Sequence, residues 1–166
     1  MAFSKSFAIT ACAVLLACAS DAPTLAGPTQ NPPPGPPAPP TLDTEVSEFV
    51  DLVNEHRQSV GCDALAWHSG AGQVADDHSA DMVARDFFSH TNPDGESPFD
   101  RLGAEGISYR AAGENIALTG GGANGALSLW LGSSGHRANI ERCGYTHHGV
   151  GLVDSRWTHL FLEDPA

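Results

Sequence analysis

The sequence predicts an α+β domain in which helices come first and most strands come late. Three observations carry this. Apolar residues recur at helical spacing from Thr44 to Gln58 and again from Ser69 to Phe87. Clear period-two alternation comes late, in "RWTHLFLE", where Trp157, His159 and Phe161 alternate with Thr158, Leu160 and Leu162. No regular strand–helix–strand repetition lies between them, which argues against parallel βαβ units. A chain of 166 residues holds one such domain plus accessory segments.

Taken in order, residues 1–17 are an export segment rather than fold. Lys5 supplies a positive n-region and "FAITACAVLLA" an apolar stretch too short for a membrane span. Leu15-Leu16-Ala17-Cys18 resembles a bacterial lipobox, in which Cys18 would be lipidated; Ala17-Cys18-Ala19 also fits ordinary small-x-small cleavage. Residues 18–42 are so proline-dense that neither helix nor sheet can form, so they are expected to be an extended spacer. The globular domain then covers 43–166.

In the first helix Val46, Phe49, Val50 and Val53, continued by Val60, share a face, with Asp43 or Thr44 as N-cap and Gly61 as the stop. The second helix groups Ala71, Ala75, His78 and Met82 on one face and leaves Asp76, Asp77, Asp81 and Arg85 mostly to solvent. His78 therefore points inward or to a rim. Ser97 followed by Pro98 starts a short helix, closed by Gly106, whose Phe99 and Leu102 cover a core edge. After the glycines at 120–122, Ala126, Leu127, Trp130 and Leu131 define another helix that ends near Gly135. "NIAL" (115–118), "HGVGLV" (148–153) and "RWTHLFLE" (156–163) are the strand candidates.

Composition excludes some functions. Eight Lys and Arg stand against twenty Asp and Glu, a formal charge of −12, which opposes binding to a phosphate backbone. Nucleic acid is not an expected partner. Of the four cysteines, Cys12 and Cys18 belong to the export segment, and an oxidising compartment favours a bridge between Cys62 and Cys143. The alternative is two separate buried thiols.

Eight histidines in an acidic exported chain invite a metal reading, yet no HExxH is present. His68, His147 and His159 have no patterned partners and read as surface or satisfied structural residues. His147 and His148, adjacent on a strand, would face opposite sides. "GGGANG" lacks the lysine and Ser/Thr of a phosphate loop, "NPDGES" lacks the alternating carboxylates of a calcium loop, and no GxSxG elbow occurs.

Several segments together resemble one family. "FFSHTNPDGESPFDRL", "YRAAGENIA", "ALSLWLGSSGHRANI", "GVGL" and "WTHLF" follow in the order of the CAP superfamily (cysteine-rich secretory proteins, antigen 5 and pathogenesis-related class 1 proteins), particularly its bacterial secreted branch. The resemblance covers residues 46–163. It implies an α-β-α sandwich, a three-layer CAP/SCP domain with a central antiparallel sheet, and a cleft lined by two histidines and two acids. By motif, His90 of "FSH", Glu114 of "GEN" and His136 of "GHR" carry over. The fourth position falls on Ser133, three residues after Trp130, where animal and plant members have an acid. "ADDHSADM" also matches the bacterial branch, which makes His78 a second candidate for the cleft. Trp67 and Trp157 match positions that are most simply core.

His90, Glu114 and His136 form a tentative metal set, two imidazoles and one carboxylate, for which zinc is the candidate ion. The alternative is that they hydrogen-bond one another and fix the loops around the cleft. Two functional readings follow. One is an exported, lipid-anchored binding or interaction module, a monomer at the outer face of a membrane, that presents the cleft to a lipid, peptide or envelope component. The other is a metal-assisted or Ser/His/Glu peptide hydrolase with Glu114, His136 and Ser133 as candidate catalytic residues.

Overall fold

The computed structural model describes residues 43–165. The export segment, the lipobox cysteine Cys18 and the proline-rich spacer lie outside the described residues. The described elements are α1 (Thr44–Ser59), β1 (Ala66–Trp67), α2 (Ser69–Ala84), α3 (Pro98–Ala104), β2 (Ala111–Leu118), α4 (Gly122–Gly132), α5 (Ser134–Ile140), β3 (His147–Val153) and β4 (Arg156–Glu163). None of the described helices is long and apolar enough to cross a membrane.

The four strands lie in the order β1-β3-β4-β2. β2 and β3 both pair antiparallel with β4, as expected for the long strands, but the two-residue β1 joins β3 in parallel and makes the sheet mixed. So short a strand carries no periodicity of its own, which is why the sequence does not announce it. The alternation of β4 sorts the core. Trp157 and Phe161 join Phe49, Trp130 and Tyr145 on the face covered by α1 and α4, while Leu160 and Leu162 join Ala71, Val74, Ala75 and Leu102 beneath α2 and α3. This gives the three layers of an α-β-α sandwich.

The contact between α2 and β3 depends on residues without side chains. A Cβ on Gly149 would lie 2.1 Å from the Gly72 backbone nitrogen, and one on Gly151 would lie 2.2 Å from that of Asp76. The "GVGL" run is thus a flat seat on which the helix backbone rests directly, and Ser79 Oγ donates to Thr158 Oγ1 across it at 2.9 Å.

Helix ends follow local chemistry. Asp43 caps α1 by accepting from the Glu45 N–H, and Ser97 with Asp100 forms a capping box at α3. α2 stops at Ala84, not Phe87, because Arg85 closes the last turn and Asp86 takes φ 50°. The expected single helix to Gly135 is two: α4 ends at Gly132, Ser133 turns extended, and α5 begins at Ser134. β2 is longer than "NIAL" because "AAGE" joins it, with Glu114 opposite Leu160 in the ladder. Leu102 is buried as expected, but Phe99 is 49% exposed, so only one side chain of that pair covers the core.

The Cys62–Cys143 disulfide forms, with Cα atoms 4.8 Å apart and a sequence separation of 81. Beside it Arg57 is fully buried. Its guanidinium donates to the carbonyls of Asp63, Ile140, Arg142 and Tyr145 at 2.6 to 3.1 Å, tying α1 to the segment after α5. Burial pushes the Arg57 pKa down, and Asp63 opposes that shift.

A second buried polar feature lies in the core itself. His148 Nδ1 and His159 Nε2 are 3.1 Å apart, and both residues are completely buried. His159, expected as a surface or satisfied structural residue, is a buried structural one whose Nε2 pairs with His148 Nδ1. His148 and His147 do face opposite sides: His147 is half-buried and bonds Asp164 Oδ1 at 2.9 Å.

Candidate functional site

Glu114 sits on edge strand β2, and its ladder partner Leu160 belongs to the cluster beneath α2, so its carboxylate enters the layer shared with α2 and α3. The side chain is only 2% exposed. An isolated buried carboxylate would be costly. Here Oε1 lies 2.7 Å from His90 Nδ1, and Oε2 accepts from Arg101 Nη2 at 2.8 Å. Arg101 projects from α3, where the Ser97 capping box fixes the helix start, and its Nη1 also donates to the carbonyls of His90 and Glu96, each at 3.0 Å. One guanidinium thus holds both the carboxylate and the backbone of the loop that carries His90.

His90 is half-exposed, with its side chain 49% accessible. A carboxylate only accepts, so His90 Nδ1 is the nitrogen that carries the proton of this bond. His136, on α5, is partly buried; that burial, and then the charge of nearby His90, lower its pKa. Its backbone is fixed by Asn115 Nδ2, which donates to His136 O at 3.0 Å, while Asn139 Nδ2 donates to Asn115 Oδ1 at 2.8 Å. The asparagines of "GENIA" and "GHRANI" therefore clamp α5 to β2. Trp130 Nε1 adds a bond to Ile116 O at 3.0 Å.

Of the residues singled out in sequence, His90 and Glu114 are brought into direct contact, and His136 lies close enough to feel the charge of His90. His78 is buried on α2 and bonds Ser89 O through Nε2 at 3.0 Å. Burial, followed by the Arg101 charge, lowers its pKa against the pull of Glu114. Ser133 is the hinge between α4 and α5, and its side chain makes no capping bond there. Arg101, Asn115 and Asn139 were not singled out. A lone arginine inside "SPFDRL" carries no spacing signal, because its partner Glu114 lies 13 residues away across a turn of the fold.

The three-ligand zinc set is a poor fit to this geometry. Both oxygens of Glu114 are engaged, one of them by a cation, and among the described residues no three His, Cys, Asp or Glu side chains converge to hold a metal ion. What the arrangement provides is an oriented imidazole on a neutralised carboxylate, with a second imidazole nearby.

Comparison with known proteins agrees with the fold and the motifs. Over 127 residues the chain is 37% identical to the Bacillus subtilis protein named "Uncharacterized protein YkwD", covering 75% of this chain and 49% of that protein. The crystal structure of an extracellular protein containing a SCP domain from Bacillus anthracis matches with TM-score 0.69 at 36% identity, over 71% of this chain and 40% of that one. An outer surface protein from Borrelia burgdorferi shares the fold at TM-score 0.68 and 19% identity, over 75% of this chain and 97% of that one. The chain therefore spans half or less of the length of these Bacillus relatives. The profile of the cysteine-rich secretory protein family, CAP, matches residues 50–161, and the chain belongs to that family.

Proposed function

We propose that the protein is an exported, lipid-anchored CAP-domain protein that acts as a binding module outside the cell, presenting the cleft of His90, Glu114 and His136 to an envelope or extracellular ligand. The observation that carries this reading is the engagement of Glu114 by both Arg101 and His90. A carboxylate held by a guanidinium is a weak general base, and it serves instead to fix the tautomer of His90. That the Bacillus anthracis relative is an extracellular protein supports the compartment. So do the Cys62–Cys143 bridge and the apolar segment after Lys5 that ends in Leu15-Leu16-Ala17-Cys18.

Hydrolysis would need an activated nucleophile within hydrogen-bond reach of its base. Ser133 and His136 are joined by no hydrogen bond among the described residues, and Ser133 takes its position from the α4–α5 turn. The test is a panel of peptide substrates assayed with the full chain and with Glu114→Ala and His136→Ala. The binding reading expects no turnover above background. Turnover that disappears in both variants would establish the hydrolase instead. Anchoring is checked by metabolic labelling with a fatty-acid analogue, which is expected to vanish in Cys18→Ser.

A further inference from the structure

The stretch that carries His90, residues 85–97 between α2 and α3, contains no helix or strand. Ser89 and His90 are exposed, and neither of their carbonyls takes a backbone donor among the described residues. Each is held by a side chain instead. His78 Nε2, from α2, lies 3.0 Å from Ser89 O, and Arg101 Nη1, from α3, donates to His90 O at 3.0 Å.

Two consecutive carbonyls held from two helices fix more than a position. The Ser89 carbonyl lies in the planar peptide unit that precedes the His90 Cα, and the His90 carbonyl lies in the unit that follows it. A residue has only two soft backbone torsions, so setting both planes sets φ and ψ of His90 and with them the direction of its Cβ. Glu114 Oε1, 2.7 Å from His90 Nδ1, then settles where the ring points. Arg101 serves two of these three supports, because its Nη2 also donates to Glu114 Oε2 at 2.8 Å. The His78 bond is separate from that network.

The imidazole suits this task. A carbonyl only accepts, so His78 Nε2 carries the proton of the bond. Nδ1 is buried without a partner, a penalty that an apolar side chain in the same space would avoid. What the ring adds is one donor for Ser89. It also meets the Phe87 ring edge-on, with centroids 5.8 Å apart, which holds the chain two residues before Ser89. Burial, then the Arg101 charge, lower its pKa against the pull of Glu114, so the ring is neutral above pH 6.5.

We propose that His78 is a positioning residue of the cleft: by donating from Nε2 to Ser89 O it sets the peptide plane before His90, so that the His90 imidazole meets Glu114. The inference rests on the reading of His90 as a cleft residue.

The test compares the full chain with His78→Leu, which fills the space without a donor, and with His78→Gln, whose amide can place a donor near the position of Nε2. The readout is the ring-nitrogen spectrum of His90 at about pH 8, above the ordinary imidazole range. His78→Leu is expected to lower the ratio of Nδ1–H to Nε2–H tautomer at His90 about fivefold, the contribution of one hydrogen bond, and His78→Gln to restore it. A residue that only packs would lower the urea midpoint and leave the tautomer alone, so an unchanged ratio in folded His78→Leu would overturn the proposal. A ratio lowered equally in both variants would do the same. If His78→Leu does not fold, the unaltered chain decides: His78 is expected as the Nε2–H tautomer, and an Nδ1–H tautomer would leave Ser89 O without its donor and sink the idea. Because no ligand enters the experiment, a cleft that binds nothing would refute the proposed function and leave this result standing.

Discussion

Two arginines among the described residues, Arg57, which is fully buried, and Arg101, which is partly so, are used differently. Arg57, beside the disulfide, is fully enclosed and gives its guanidinium to four backbone carbonyls. Arg101, beside Glu114, gives one nitrogen to that carboxylate, shares another between two carbonyls, and has one N–H without a protein partner. The first arrangement can only tie chain segments together. The second holds the Glu114 carboxylate and the backbone of the His90 loop. A guanidinium spent wholly on backbone carbonyls joins chain segments; one spent partly on a carboxylate also positions a side chain.

Substitutions should separate the two, beginning with the most damaging. Arg57→Ala leaves the buried carbonyls of Ile140 and Tyr145 without their donor, together with the partly buried ones of Asp63 and Arg142, and since each buried acceptor left unsatisfied costs about 1 to 3 kcal/mol, urea unfolding should show a loss of roughly 2 to 6 kcal/mol. A loss under about 1 kcal/mol would mean that water replaces the guanidinium and that the two arginines are not different in kind. Opening the neighbouring disulfide in Cys62→Ser/Cys143→Ser should cost somewhat less, about 2 to 4 kcal/mol, because the long closed loop restrains the unfolded chain.

Acid should weaken the core. Burial, then the charges of Arg57 and His147, push His148 down from its ordinary 6.5 to about 3, and burial also holds His159 well below its usual range. As pH falls below 6.5 the unfolded chain takes up protons that the folded core refuses. Stability present above 6.5 is therefore lost progressively as pH falls toward 3, with His159 adding to the loss in the same direction, measurable as the urea midpoint against pH. A midpoint flat across that window would contradict the buried neutral pair. Smallest of all should be His136→Ala. That partly buried imidazole has no hydrogen bond to its ring among the described residues, so global stability should stay within about 0.5 kcal/mol of the parent.

The same contrast explains what the sequence could and could not disclose. Elements with strong periodicity were legible: α1 with its Asp43 cap, the Ser97–Pro98 start of α3, and β4 with its alternating faces. The break at Ser133 was not, because "LGSSGHR" reads as helical on both sides and the turn depends on α5 packing against β2 through Asn115 and Asn139. His90 and Glu114 were found through motif order. Arg101 was missed because its role exists only when α3 folds across β2, and Arg57 because a buried arginine bonded to carbonyls leaves no charge pattern in sequence. The two glycines of "GVGL" were visible as a motif, but the reason for them, the backbone of α2 lying directly on β3, is purely three-dimensional.

The central claim is that Glu114 is the group that orients His90, not a metal ligand or a base. It is tested most directly by the ring-nitrogen spectrum of the cleft histidines at about pH 8, above the ordinary imidazole range. The account expects His90 as the Nδ1–H tautomer, bonded to Glu114, and His78 as the opposite, Nε2–H tautomer, bonded to Ser89 O. His90 carrying its proton on Nε2, with Nδ1 unprotonated beside the carboxylate, would contradict it.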